Sequence, residues 1–173
     1  MFRAVPSISS SWRTGAAVPR KLSWPEIWHI DSVLLDYLRR HAEDSYPREG
    51  AGFLLGRDHD GAREAVRALP QANRAPEASQ ARRYEIAPAD VMATEIEAEK
   101  AGLEVLGIFH SHPDHPPVPS ATDLEAALPW YSYVITSIEQ GRAVQSRSWR
   151  LSDDRGELVE EELVVRPPGS GEN

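Results

Sequence analysis

The 173-residue sequence contains no cysteine, and this absence excludes several kinds of chemistry. Disulfide bonds, thiol nucleophiles and zinc sites built on thiolates all require that residue. Any metal ion must therefore be held by histidine, aspartate or glutamate. The sequence also lacks an apolar run long enough to span a membrane, so we expect no membrane partner.

Basic residues are fewer than acidic ones, with 19 Lys and Arg against 27 Asp and Glu, and the formal net charge is −8. This balance argues against a non-specific nucleic-acid binder, which needs a basic surface to displace counterions. The first 21 residues are basic and rich in serine but have no continuous apolar segment, so they do not resemble a secretory signal. We expect a cytoplasmic protein in which residues 1–21 form a flexible tail.

The remaining length suits one domain, predicted over residues 22–166, with a second flexible tail at 167–173. Hydrophobic periodicity and capping residues predict helices and strands without strict alternation, which is typical of an α/β fold with a mixed sheet. The predicted helices are a first one capped by Asp31 and ended by Tyr46-Pro47, a second starting at Pro88, and a third over 120–128. The predicted strands are 51–57, 62–69, a short one at 84–86, 103–109, 130–138, 143–152 and 162–166.

The stretch FHSHPDHPPVPSATD (109–123) concentrates metal-binding side chains behind the most apolar predicted strand. His110 and His112 are two positions apart, so in an extended chain their side chains point to the same face. Two neutral imidazoles on one face form a bidentate clamp for a metal ion such as zinc. The four prolines restrict the backbone and lower the entropy lost when the loop is ordered. We expect His115 to lie outside the ligand set.

Asp123 is the candidate third ligand, and a His, His, Asp set would leave a fourth position open for water, as in catalytic zinc sites. The segment Ser120-Ala121-Thr122-Asp123 also has the pattern of a capping box, in which Asp123 would only stabilise the start of a helix. The two interpretations are compatible, because a cap also fixes where the carboxylate points.

The arrangement His110-Ser111-His112-Pro113, seven residues, Ser120, two residues, Asp123 resembles the JAMM signature of the MPN (Mov34/PAD-1) zinc metalloproteases. That signature includes an upstream glutamate, which Glu49 matches within residues 47–56. The resemblance extends from about residue 33 to residue 165 and is strongest to small single-domain prokaryotic members. It implies a mostly antiparallel curved sheet flanked by helices.

The resemblance also implies a role for each matching residue. His110, His112 and Asp123 would bind one catalytic zinc ion, with water as the fourth ligand. Glu49 would deprotonate that water and pass the proton to the leaving amine. Ser120 would donate a hydrogen bond to the developing oxyanion.

Family members cleave peptide or isopeptide bonds after the C-terminal Gly-Gly of ubiquitin-like proteins, and the small bacterial members resemble enzymes that act on ubiquitin-like sulfur carriers. We therefore expect a ubiquitin-like sulfur-carrier protein as substrate, its extended tail lying in a groove near Asn73 and Tyr84. Two alternatives remain open at this point. One is a non-catalytic binding module or scaffold of the same fold; the other is a zinc deaminase, although those sites typically use a Cys-x-x-Cys pair that this sequence lacks.

Overall fold

The computed structural model describes residues 27–59 and 62–169, so the predicted tail at 1–21 and the predicted domain start at residue 22 lie outside it. The described residues form the following elements in chain order: β1 (Ile27–Asp31), α1 (Ser32–Ser45), β2 (Ala51–His59), β3 (Ala62–Gln71), a 3₁₀ turn (Glu77–Ser79), α2 (Pro88–Lys100), β4 (Glu104–Pro113), α3 (Ala121–Ala126), β5 (Ser132–Glu139), β6 (Arg142–Leu151) and β7 (Leu158–Arg166). None of these helices combines the length and apolar character that a membrane crossing requires.

The strands pair in the order β1-β3-β2-β4-β5-β6-β7, and β1 also pairs with β7, which closes the sheet into a barrel. Four of the pairings are antiparallel, and the three others, which join β1 to β3, β1 to β7 and β4 to β5, are parallel. The predicted α/β fold with a mixed, mostly antiparallel curved sheet flanked by helices is therefore confirmed. The closure was not predicted, because it depends on β1, a five-residue strand absent from the sequence-based assignment.

The central strand β2 is covered on both faces because its alternate side chains point in opposite directions. Leu54 packs with Leu35 and Leu38 of α1 in one apolar cluster. Its neighbours Phe53 and Leu55 pack on the other face with residues of α2. Burial on both faces explains why this strand appears in the sequence as a continuous apolar run. It also holds β2 and the adjacent β4 rigidly between two helices.

Two glycines let neighbouring strands of the sheet lie close together beside the site. Gly52 of β2 is paired with Phe109 of β4, and a Cβ atom on Gly52 would lie 2.4 Å from the carbonyl oxygen of Leu69. A Cβ atom on Gly107 would lie 2.2 Å from the carbonyl oxygen of Ser132 in β5. A side chain at position 107 would therefore separate β4 from β5, and one at position 52 would separate β2 from β3 and displace the Phe109 ring.

The local helix signals are confirmed, whereas one strand prediction is wrong. Asp31 caps α1 by accepting a hydrogen bond from the Val33 amide at 2.6 Å, and α2 begins at Pro88. The segment Tyr84–Ile86 is not a strand of the sheet. It is held instead by side-chain and loop contacts to Asn73 and Arg74, so it joins no ladder.

Candidate active site

Strand β4 carries two histidines to the centre of the site. It extends through Pro113, so His110 and His112 lie within the strand and not, as predicted, in the loop after it. Their side chains lie on the same face, as the spacing predicted, and the two Nε2 atoms are 3.1 Å apart. Both residues are buried. Pairing with β2 on one side and β5 on the other fixes the backbone that presents them.

Asp123 reaches the histidines from the first turn of α3. Both the amide and the hydroxyl of Ser120 donate hydrogen bonds to Asp123 Oδ2 at 2.6 Å, and the Asp123 amide donates to Ser120 Oγ at 3.2 Å. The capping box is therefore formed. It leaves Asp123 Oδ1 3.2 Å from His110 Nε2. A single conformation of Asp123 thus caps the helix and also presents its carboxylate to the histidines.

The proline-rich loop between β4 and α3 is tied to three other elements. Tyr46 Oη at the end of α1 donates to Asp114 Oδ2 at 3.0 Å, and the Gln140 amide donates to Asp114 Oδ1 at 2.9 Å. Further along the loop, Trp149 Nε1 of β6 donates to the Pro117 carbonyl at 3.0 Å. These bonds fix the distance and direction between the strand that holds the histidines and the helix that holds the carboxylate.

Hydrogen bonding determines which nitrogen of His112 is available. Its Nδ1 lies 3.0 Å from the carbonyl oxygen of Pro116. Because a carbonyl can only accept, Nδ1 carries a proton, so Nε2, which faces His110 and Asp123, is the nitrogen that can bind a metal ion. A carbonyl partner of this kind is typical of the histidines that bind metals.

Burial and hydrogen bonding shift the pKa values of the three side chains in different directions. Burial lowers the pKa of His110, so its neutral imidazole predominates. Burial alone would raise the pKa of Asp123, but hydrogen bonds from His110, His112 and Ser120 outweigh this effect and hold that pKa well below its usual range. Burial alone would lower the pKa of His112, but hydrogen bonds with Asp123 and the Pro116 carbonyl outweigh it and raise that pKa. The cluster therefore holds one imidazole that is neutral, one that protonates more readily, and an ionised carboxylate.

The geometry of the three side chains fits a metal ion. One ligand atom from each of His110, His112 and Asp123 lies within 4.8 Å of the other two. Two nitrogens bound tetrahedrally at the usual zinc–nitrogen distance are about 3.3 Å apart. The observed separation of 3.1 Å between the Nε2 atoms is close to that value. His115, expected outside the set, is exposed and is not part of it.

Glu49 lies between α1 and β2, and its backbone is held by the loop that follows β3. Its amide donates to the Gln80 carbonyl at 2.7 Å, and its carbonyl accepts from Asn73 Nδ2 at 3.1 Å. The buried Glu49 side chain lines the same groove as His112 and Ser120. Burial raises the pKa of Glu49 to about 8, with His112 opposing and the Asp123 charge reinforcing this shift. This carboxyl can therefore exchange a proton near neutral pH.

The segment from Arg83 to Ile86 forms one wall of the site. The backbone groups along one side of this segment are hydrogen-bonded to neighbouring residues, and those along the other side are not, within the part of the chain that the structure describes. Asn73 Nδ2 donates to the Arg83 carbonyl at 3.0 Å, and both backbone groups of Glu85 are bonded to Asn73 and Arg74. In an extended chain, alternate residues direct their N–H and C=O groups to opposite sides. The backbone groups of Tyr84 and Ile86 therefore point the other way, and none of the described residues hydrogen-bonds to them.

Two grooves meet beside the three clustered side chains. One, of about 330 Å³, is lined by Tyr84, Ile86 and Asp123 among others. The second, of about 530 Å³, is lined by Glu49, His112 and Ser120 together with residues of the proline-rich loop. Arg82 lines both grooves. Arg82 was not among the residues predicted to form the site, because nothing in the local sequence pattern separates it from the other arginines nearby.

Comparison with known proteins agrees with this geometry. The family described as prokaryotic homologs of the JAB domain matches residues 31–152. A desampylase of Haloferax volcanii is 42% identical over 108 residues, which are 62% of this chain and 74% of that protein. A probable TtuB-protein conjugate cleaving protease of Thermus thermophilus is 32% identical over 117 residues, covering 68% of this chain and 74% of the relative.

Two solved structures share the fold over most of their length. A protein from Salinibacter ruber is 41% identical with a TM-score of 0.64, covering 82% of this chain and 93% of that one. A protein from Desulfitobacterium hafniense is 28% identical with a TM-score of 0.68, covering 81% of this chain and 93% of that one.

Proposed function

The chain belongs to the family of prokaryotic homologs of the JAB domain, and we propose that it is a zinc metallopeptidase. Its substrate is the peptide or isopeptide bond after the C-terminal Gly-Gly of a ubiquitin-like or sulfur-carrier protein. The relatives named as a desampylase and as a conjugate-cleaving protease support this reaction class. The observation that carries the proposal is the convergence of His110, His112 and Asp123 beside a buried glutamate.

In this proposal His110, His112 and Asp123 hold the zinc ion. The ion supplies Lewis acidity when bound, which polarises the scissile carbonyl and makes water more acidic. The two imidazoles are neutral ligands, and the carboxylate contributes the one negative charge of the set. Three protein ligands match the usual composition of a catalytic zinc site, whereas structural sites have four.

Glu49 acts as the general base and acid. Its carboxylate takes the proton from the attacking water and delivers it to the leaving amine. A general base works best when its pKa lies near the working pH, and burial moves the pKa of Glu49 in that direction. The backbone bonds to Gln80 and Asn73 keep the side chain aimed into the groove.

Ser120 donates a hydrogen bond to the negative charge that develops on the carbonyl oxygen. Its hydroxyl lies at the edge of the groove and donates to Asp123 Oδ2 at 2.6 Å. When that hydroxyl turns to the substrate, the Ser120 amide still holds Asp123, also at 2.6 Å. The carboxylate therefore keeps its orientation during the reaction.

The groove beside Tyr84 holds the C-terminal tail of the substrate. An extended tail adds to a free backbone edge by main-chain hydrogen bonds, and Tyr84 and Ile86 offer such an edge. Two glycines at the end of the tail allow its backbone to approach the wall closely, because they have no side chains. The predicted involvement of Asn73 is indirect, since its amide braces the opposite side of this wall.

The direct test uses a sulfur-carrier protein that bears a peptide after its Gly-Gly. Purified protein is incubated with this substrate, and intact mass spectrometry follows the reaction. We expect a product ending at Gly-Gly, and we expect its formation to stop with a chelator or with Glu49→Gln. Zinc binding and carrier binding without cleavage would instead identify a non-catalytic binding module.

A further inference from the structure

The groove lined by Ser120 also contains residues to which the proposed reaction assigns no role. Besides the catalytic side chains, this groove of about 530 Å³ is lined by Arg82, His115, Pro116 and Val118. Glu49 is the one acidic residue among its lining residues. A protein with a formal net charge of −8 thus places basic and apolar groups along one side of its active site.

Arg82 is the cation in this groove that lacks a counter-ion. The neighbouring Arg83 is neutralised by Glu85, with Nη2 2.8 Å from Oε1. No described residue forms an ion pair or side-chain hydrogen bond with the exposed Arg82 guanidinium. The Arg82 amide donates to the Ser79 carbonyl at 2.9 Å, so the backbone of this residue is fixed while its side chain is free.

We infer that Arg82 binds the carboxylate of the leaving group, so that the enzyme preferentially releases a free amino acid or a short peptide from its carrier protein. This inference rests on the proposed function and names the leaving group that the same site selects. In the reaction, the water oxygen bonds to the carbonyl carbon and the carbon–nitrogen bond breaks. The carrier gains a carboxylate, and the released amino acid gains the proton on its amine.

Arg82 lines both grooves, but only the second groove holds it together with Glu49, His112 and Ser120, so we place it on the leaving-group side. The carrier tail occupies the groove beside Tyr84, so the chain after the scissile bond enters the groove lined by Ser120 and Arg82. The α-carboxylate of a single released residue lies only about 3.5 Å further along the chain, the span of one residue. A guanidinium binds a carboxylate through two parallel hydrogen bonds. A lysine side chain would place four methylene groups there and no negative charge.

The test compares two carriers that end in Gly-Gly-Ala, one with a free carboxylate and one with a C-terminal amide. We expect the wild-type enzyme to cleave the acid with a kcat/KM about three- to tenfold higher, the range for a partly exposed ion pair. Arg82→Ala should abolish this preference by slowing cleavage of the acid only. Arg82→Lys should restore part of it. Arg142→Ala, which changes an exposed arginine outside both grooves, is the matched control that should retain it.

Other results would overturn the inference. Equal cleavage of acid and amide by the wild-type enzyme would show that the leaving carboxylate is not recognised. An equal loss on both substrates in Arg82→Ala would place the arginine against the carrier body. If a carrier ending in Gly-Gly inhibits Arg82→Ala more weakly than it inhibits the wild type, Arg82 binds the carboxylate of the carrier product and not that of the leaving group. Cleavage of neither substrate by the wild-type enzyme would overturn the proposed function itself.

Discussion

The ring of Tyr84 lies against the imidazole of His110, with ring centroids 4.8 Å apart and planes tilted by 34°. Tyr84 belongs to the loop between β3 and α2, whereas His110 lies in β4. The contact therefore joins the wall of the substrate groove to a candidate metal ligand. It also covers one face of an imidazole that has no described hydrogen-bond partner at Nδ1.

The Tyr84 ring should hold His110 in its binding orientation. Aromatic pairs contribute about 0.5–1.5 kcal/mol beyond their buried area. We expect Tyr84→Leu to weaken metal binding by about two- to tenfold, whereas Tyr84→Phe should bind metal as the wild type does. Competition with a chromophoric chelator measures both affinities. If Tyr84→Phe is weakened as much as Tyr84→Leu, the hydroxyl and not the ring is responsible.

Glu49→Gln should separate proton transfer from metal binding. The amide has the shape of the carboxyl but cannot accept a proton, and the backbone bonds of residue 49 do not depend on the side chain. We expect kcat to fall by about 10²- to 10⁴-fold, the usual contribution of a general base, with metal content unchanged. Elemental analysis alongside the cleavage assay checks this. Loss of the metal would indicate that Glu49 is a ligand.

Ser120 combines a helix cap with a proposed hydrogen-bond donor, and two substitutions distinguish these roles. Glycine is tolerated at an N-cap almost as well as serine, whereas alanine costs about 1 kcal/mol. Both variants lose the hydroxyl, so both should lose about 10²- to 10³-fold in kcat. Only Ser120→Ala should lower the free energy of unfolding clearly in urea titrations. If Ser120→Gly keeps both its stability and its activity while Ser120→Ala loses both, the hydroxyl serves only as the helix cap.

The sequence predicted the parts of the fold that local chemistry determines. The start of each helix depends on only a few adjacent residues: the Asp31 cap for α1, Pro88 for α2 and the Ser120–Asp123 capping box for α3. The segment Tyr84–Ile86 was predicted as a strand but joins no ladder, because the side chain of Asn73 takes the place of a partner strand. Strand β1 was missed because its five residues are stabilised by pairing with β3 and β7, both distant in sequence.

The candidate site likewise contains residues that the sequence alone could bring together and residues that it could not. His110 and His112 share a face because the spacing of an extended chain requires it, so the sequence alone brings them together. Glu49 is 61 residues from His110 in sequence, and only the resemblance to a known family connected the two. Arg82 had neither a local pattern nor a motif, and its position at the junction of two grooves appears only in the folded structure.

Two adjacent glutamates of β7 should influence stability with opposite pH dependence. Ser148 Oγ donates to Glu161 Oε1 at 2.7 Å, but burial dominates and raises the pKa of Glu161 above the ordinary value of 4.5. Glu160 is exposed, and Arg147 Nε donates to its Oε1 at 2.6 Å, which lowers the pKa of Glu160.

The sign of each effect follows from proton linkage. Between pH 4.5 and its raised folded pKa, Glu161 binds more protons in the folded state than in the unfolded state, so stability falls as pH rises. Glu161→Gln removes this dependence, so its stability relative to the wild type should rise as pH rises above 4.5. Glu160 stabilises the fold above its ordinary pKa of 4.5 and loses this contribution as pH falls through its lowered folded pKa. The stability deficit of Glu160→Gln should therefore shrink as pH falls below 4.5. Urea unfolding at several pH values gives both differences, and parallel changes in the two variants would contradict the assigned burial of Glu161.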